Sequence, residues 1–216
     1  MFYDIMRTIG LILGYPLQLL FFKRKTYYVD KSKVNLKKGG KLIITNHYNM
    51  FDYVLTSFVV FPRKLNVVAS EEPFKSKITT IGMRFFGAIE ANRETRSMKF
   101  IDTCADVLKS GQLVQIYPEG RNTPDGKMHE FKPSYTLIAH RANVPIVLVI
   151  TDGNYGIFKR ASVIISEEID VSIFLDPNSK TTKKEDRTRL NEYIHSRALE
   201  LRAELEILKK KGKNKC

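Results

Sequence analysis

Lys41-Leu42-Ile43-Ile44-Thr45-Asn46-His47-Tyr48-Asn49-Met50-Phe51-Asp52 changes periodicity half-way along, and that change governs how the rest of the chain is read. Leu42 to Thr45 is a short apolar run of the kind a buried strand uses, whereas Phe51, Val54, Leu55, Phe58 and Val59 recur at helical spacing. A strand therefore runs into a turn, and a helix begins near Asn49. His47 and Asp52 lie five positions apart. On one helix that separation is about 500°, or roughly 140° around the axis, and on one strand an odd separation points to opposite faces. Neither regular element joins the two side chains, but a strand-turn-helix corner can, with His47 in the turn and Asp52 in the first helical turn. A carboxylate so placed accepts from one imidazole nitrogen, fixes the tautomer and leaves the other nitrogen to take a proton. The same residues also suit a plainer role as a turn histidine and a helix-start aspartate, and the H-x-x-x-x-D spacing alone is common.

Outward from this corner, strand-like and helix-like segments alternate. Tyr27 to Val34 reads as a short strand and Leu36 to Gly40 as a turn. Pro62 ends the helix after the corner. A second strand follows at Leu65 to Ala69, then a helix from Pro73 through Phe86 with the proline in its first turn. Gly87 to Arg93 is a short strand ending in an arginine, and Thr95 to Lys109 an amphipathic helix closed by Gly111. Leu113 to Tyr117 is a buried-type strand running into Pro118-Glu119-Gly120-Arg121-Asn122-Thr123. Phe131 and Lys132 precede a helix from Pro133 to Arg141, and Val144 to Ile150 is a core strand. Ala161 to Ser166 and Val171 to Leu175 read as final strands, Asp176 to Asp186 as a polar linker. The last segment spaces Leu190, Tyr193, Ile194, Leu201, Leu205 and Leu208 as a surface helix docking by one face. The pattern predicts an α/β fold, a mixed, largely parallel sheet flanked by helices, with strand ends delivering polar residues to one rim.

The chain has 216 residues, enough for one domain with a sizeable core, and is 43% hydrophobic and 27% charged. The expected division is an N-terminal apolar segment at 1–26, an α/β domain at 27–182, and a C-terminal amphipathic helix and basic tail at 183–216. The formal charge of +13 implies attraction to polyanions: nucleic acid, an anionic membrane surface or phosphorylated substrates. Any single lysine cluster also suits a solubilising surface. Two cysteines, Cys104 and Cys216, give neither a disulfide framework nor metal-ligand spacing, and no metal or cofactor is assigned. Cys104 falls in an apolar helical pattern as a packed core residue.

Thr8 to Phe22 is uncharged over 15 residues with Pro16 inside it, short of the roughly 20 a spanning helix requires. Lys23-Arg24-Lys25 follows. This reads as an apolar helix, broken near Gly14-Tyr15-Pro16, lying in or dipping into one leaflet with the basic cluster at the headgroups. A secretory signal is the rival, though no small-residue cleavage site follows. An ordinary helix packed on the domain is the third reading.

Four segments now stand in order: His47 to Asp52, Gly87 to Arg93, Tyr117 to Arg121, and Val144-Pro145-Ile146-Val147. Together they resemble the 1-acylglycerol-3-phosphate acyltransferase family within the glycerolipid acyltransferases, over roughly residues 40–150. The resemblance implies that His47 is the general base deprotonating an acceptor hydroxyl and that Asp52 orients it. The hydroxyl then attacks an acyl thioester directly. The turn at Glu119 and Gly120 is the place for backbone N–H donors to the developing oxyanion, and Glu119 resembles the family's acceptor-binding carboxylate. Arg93 matches an arginine that binds the acceptor's phosphate, with Arg121 assisting through its forked donors. Two departures fall at this headgroup-reading end. Arg121 follows Gly120 directly, where a threonine or serine commonly intervenes, and Glu90-Ala91-Asn92 replaces a frequent pattern ending in aspartate.

The implied partners are acyl-CoA or acyl carrier protein as donor, a lysophospholipid as acceptor, and an anionic membrane surface on its cytoplasmic face, held peripherally or monotopically. Lysophosphatidate is the default acceptor, another lysolipid the alternative. An apolar groove between the N-terminal segment and the sheet is expected to hold the acyl chain. Arg93 and Arg121 each also suit simple ion pairs, and Glu119 a helix cap. A non-catalytic membrane-binding relative is the rival class. No aromatic-basic reader motif or zinc spacing supports nucleic-acid binding.

Overall fold

The computed structural model describes residues 2–91, 98–123, 126–174 and 183–213, the side chains of 212 and 213 excepted. Arg93, most of the polar linker, Cys216 and the end of the basic tail lie outside the described residues. Seven strands form one sheet: β1 (Lys25–Tyr28), β2 (Lys41–Ile44), β3 (Leu65–Ser70), β4 (Ala88–Ala91), β5 (Leu113–Ile116), β6 (Ile146–Thr151) and β7 (Ser162–Ile165). The order is β1-β7-β6-β2-β5-β3-β4. All neighbours are parallel except β6 and β7, so the mixed, largely parallel expectation holds.

Alternation along the central strands sorts the core into two layers. Leu42, Ile44, Val114, Ile116, Ile146 and Leu148 face α4 (Lys99–Lys109), α5 (Ser134–Ala142) and α6 (Lys183–Lys213). Ile43, Leu113, Val147 and Val149 face the opposite way, toward α1 (Phe2–Phe22) and α2 (Phe51–Val59). Both faces of the strands are apolar because helices cover both, which is why these runs carry no polar alternation. On α6 the buried set is Leu190, Ile194, Ala198, Leu201 and Leu205, one docking face as expected, but Tyr193 falls outside it and is exposed.

Several boundaries differ from expectation. α1 is unbroken through Pro16. Proline removes one backbone hydrogen bond, and here packing on both sides of it outweighs that loss: Tyr15 meets Phe58 edge-on and Phe61 at a tilt, and Phe22 is buried. The Pro73–Phe86 helix is instead a 3-10 turn at Glu72–Phe74 and then α3 (Lys77–Phe85). Ser76 is extended between them, and the Thr79 and Thr80 hydroxyls donate to the carbonyls of Pro73, Phe74 and Ser76. Such side-chain bonds compete with the helical ladder. β1 stops at Tyr28 because Asp30 accepts from Ser32 N–H at 2.9 Å and caps a 3-10 turn at Lys31–Lys33. The expected strand at Val171 is likewise a 3-10 turn, Val171–Phe174, started by Asp170 accepting from Ser172 N–H at 2.9 Å.

Arg7 fastens α1 to β3. Arg7 is buried and donates to Asn66 Oδ1 at 3.1 Å, to the Leu65 carbonyl, and to Tyr53 Oη at 3.4 Å. Its guanidinium fills the space where position 87 would carry a Cβ, 2.2 Å from Arg7 Nη1, and Gly87 has φ +67°. Position 87 is therefore glycine for both backbone and packing reasons. Gly87→Ala is expected to lower unfolding stability by about 2–3 kcal/mol, combining left-handed strain with overpacking, as measured by denaturant titration.

Candidate active site

The corner at the end of β2 is built by a buried carboxylate. Asp52, in the first turn of α2, is 0% exposed. Its Oδ2 accepts from Tyr48 N–H at 2.6 Å and Asn49 N–H at 2.8 Å, and lies 3.0 Å from His47 Nδ1. Three donors from consecutive residues thus converge on one oxygen. The turn wraps around Asp52 rather than being followed by it. His47 is 20% exposed at its side chain and stacks on Tyr117 with centroids 3.9 Å apart and planes 19° from parallel. With Nδ1 committed to Asp52, Nε2 is the nitrogen left to exchange a proton with a substrate.

The other carboxylate oxygen belongs to the far side of the site. Tyr155, on the connection after β6, donates its hydroxyl to Asp52 Oδ1. Burial and the Asp52 charge raise the Tyr155 phenol well above its ordinary range, so it is a lasting O–H donor. Tyr155 Oη also lies 3.0 Å from Thr151 Oγ1. Asn46 clamps Thr151, donating from Nδ2 to its carbonyl at 2.9 Å and accepting from its N–H at 3.0 Å. The ends of β2 and β6 are therefore locked together beside His47.

The third neighbouring strand, β5, delivers the Pro118-Glu119-Gly120-Arg121 turn. Thr123 donates both its N–H, at 2.7 Å, and its hydroxyl, at 2.9 Å, to the His47 carbonyl, tying this loop to the histidine. Gly120 N–H donates to the Tyr117 carbonyl at 3.0 Å. This bond closes the turn that the sequence offered as a source of backbone N–H donors. Its φ of +65° and bare face let Lys132 run alongside, with Nζ 3.1 Å from where a Cβ would stand. Glu119 is buried, accepts from His129 N–H at 2.9 Å through Oε2, and has no partner at Oε1 among the described residues.

A cavity of about 1120 Å³ opens in front of His47. Its lining includes Arg121, Lys132, Asn122 and Ser134 as well as the apolar Val67, Val68, Met83, Met98 and Phe100. His47, Gly120 and Arg121 share this wall. Glu119 does not reach it, and Arg93 lies outside the described residues. Sequence reading missed Tyr155, Thr151, Asn46 and Lys132. Asn46 directly precedes His47 and Lys132 follows the β5 turn, so both carried a positional signal. Tyr155 is 103 residues from Asp52 and carried none.

Residues 27–151 match the acyltransferase family. The chain belongs to it. A Bacillus subtilis 1-acyl-sn-glycerol-3-phosphate acyltransferase is 24% identical over 175 residues, covering 79% of this chain and 85% of that protein. A Caenorhabditis elegans protein, provisionally named 1-acyl-sn-glycerol-3-phosphate acyltransferase acl-2, is 29% identical over 128 residues. That alignment spans 57% of this chain and 44% of the longer relative. The fold is similar to the crystal structure of PlsC, the 1-acyl-sn-glycerophosphate acyltransferase of Thermotoga maritima, with TM-score 0.60 and 20% identity over 93% of this chain and 80% of that one.

Tyr155→Phe is expected to lower kcat for acyl transfer by about 10–100-fold with KM little changed. Without the phenol's hydrogen bond one oxygen of the orienting carboxylate loses its donor, so His47 is held less firmly. Steady-state kinetics on parent and variant check both parameters.

Proposed function

We propose that this acyltransferase moves a fatty acyl chain from acyl-CoA or acyl carrier protein to the free hydroxyl of a lysophospholipid, with lysophosphatidate as the acceptor. The observation that carries the reading is the His47–Asp52 pair at 3.0 Å, opening onto a cavity whose walls hold two cations, Arg121 and Lys132, among apolar side chains. In this reading His47 Nε2 takes the acceptor's proton as its oxygen attacks the thioester carbonyl carbon. The tetrahedral adduct collapses by breaking the C–S bond, and the imidazolium returns the proton to the departing thiolate. The products are an ester and a free thiol.

Direct attack, without an acyl-enzyme, fits the residues at hand. Cys104 is buried in the core and burial pushes its thiol up to about 12, leaving it protonated and out of reach of the cavity. Arg121 and Lys132 supply the charge for an acceptor phosphate, joined in the proposal by Arg93 and by Glu119 as a group ordering the turn. The two sequence departures beside this end, at Glu90-Ala91-Asn92 and at the Gly120-Arg121 junction, favour a second acceptor reading in which another lysolipid is used.

Membrane placement is part of the proposal. α1 is long and apolar enough to cross a membrane by length and composition, and Leu13 and Leu17 are each 67% exposed on it. On α3, Ile78 is 83% exposed. These apolar groups seat in one leaflet, with Lys23-Arg24-Lys25 at the headgroups, on the cytoplasmic face where the thioester donors are found. The expected groove is here formed between α1 and the helices α2 and α3, rather than against the sheet.

Thiol release from acyl-CoA, and separately from acyl carrier protein, against a panel of lysolipids tests the function. Release with lysophosphatidate that His47→Ala abolishes is the expected result. Release with a different lysolipid alone would replace the acceptor, and none with any pair would overturn the reading. Arg121→Ala and Lys132→Ala are each expected to raise KM for lysophosphatidate about tenfold with kcat less affected, because they remove charge-assisted contacts to the phosphate.

A further inference from the structure

A second cavity, about 410 Å³, lies between α1 and the helices α2 and α3. Its walls are mostly rings and aliphatic groups, among them Leu11, Phe21, Val54, Phe58 and Phe85. Four polar side chains interrupt them: Arg7 and Tyr53, which hydrogen-bond to each other and to the Leu65 carbonyl, and, on facing helices, Gln18 and Ser57. Gln18 of α1 is 3% exposed, and neither its amide nitrogen nor its amide oxygen has a partner among the described residues. Ser57 of α2 is buried in the same wall.

An unpartnered primary amide is an unusual tenant of an apolar wall, because burying it without hydrogen bonds is unfavourable and leucine would fill the place without that penalty. The arrangement makes sense if the partner arrives with a ligand. The cavity's lining calls for a hydrocarbon chain, and the amide calls for an oxygen on that chain. A hydroxyl fits best, since it both accepts and donates, as the amide's N–H and carbonyl require. This cavity and the one before His47 share Tyr53, Val54 and Phe86 in their walls, so the two adjoin, and in the proposal a chain whose head lies at His47 passes these side chains to reach Gln18.

We propose that the cavity between α1 and α2 is a subsite for an acyl chain carrying a hydroxyl group along its length, read by Gln18 with Ser57 in the same lining. The proposal rests on the acyl-transfer reading for its route from His47. The hydroxylated chain comes from either the thioester donor or the lysolipid acceptor. Its recognition is the same chemistry in both cases: a hydrogen-bonding site that discriminates against the chain lacking the group.

The test uses the full chain in detergent and competition against a fluorescent fatty acid, with palmitic acid and a series of hydroxypalmitic acids differing in hydroxyl position. At least one isomer is expected to compete about tenfold or more better than palmitic acid. Gln18→Leu is expected to abolish that preference, keep or strengthen palmitic acid binding, and raise the thermal midpoint by removing the unpaired amide. Ser57→Ala is expected to weaken the preference. The parent position series decides even if a variant fails to fold: no isomer better than palmitic acid overturns the proposal. A preference that survives in folded Gln18→Leu, or a lowered midpoint there with binding unchanged, assigns Gln18 a structural role and overturns it too. Transfer assays with a hydroxyacyl donor, and separately a hydroxyacyl lysolipid, identify which chain enters. Hydroxyl-selective binding without transfer would remove the acyl-transfer reading and keep the subsite. Transfer without hydroxyl preference in binding or rate would do the reverse.

Discussion

Asp52 is a carboxylate with no exposure to water, and everything around the site is arranged to hold its charge there. A buried carboxylate is tolerable when its lone pairs are met by donors. Here the donors come from both directions along the chain. Two successive backbone N–H groups and the His47 ring meet Oδ2, which fixes the turn between β2 and α2. Tyr155 meets Oδ1, which fixes the connection after β6. Were either set lost, a buried oxygen would be left unsatisfied, at roughly 1–3 kcal/mol per group. Fold stability and the orientation of the imidazole thus depend on the same few bonds.

The parallel sheet brings these donors to one place. β2 lies between β5 and β6, so His47, the Tyr117–Arg121 turn and the Thr151–Tyr155 connection all emerge at the carboxyl ends of adjacent strands. Ligand sites of open α/β sheets form at that rim. Two ties reinforce it: Thr123 to the His47 carbonyl, and Asn46 to Thr151. Tyr48, whose N–H serves Asp52, also lies under the Arg202 guanidinium of α6, 5.3 Å from the ring centroid. The C-terminal helix therefore backs the site as well as covering the sheet.

Much of this was legible in the sequence, for local reasons. The switch from a four-residue apolar run to helical spacing located the corner, and the five-residue separation required a turn to join His47 and Asp52. Central strands were readable because burial on both faces makes them continuously apolar. Edges were less so: β1 and the Val171 segment turn early because Asp30 and Asp170 capture nearby N–H groups, a side-chain competition that apolar patterns do not register. Pro16 read as a break, yet aromatic packing carries α1 through it. In the site, Tyr155 was invisible because its partner is a carboxylate brought near only by the sheet order. That the Gly120 N–H closes its own turn was not legible, because whether a turn uses its own N–H groups depends on backbone angles.

The most direct test of this account is the turnover of Asp52→Asn with acyl-CoA and lysophosphatidate, taken with its thermal midpoint to establish that the protein is folded. The carboxamide keeps the size of the side chain and removes the charge that orients and stabilises the His47 imidazolium. The account predicts a fall in kcat of about a thousandfold or more in folded protein. A folded variant turning over within about tenfold of the parent would contradict it, and would require His47 to act without the carboxylate on which the corner is built.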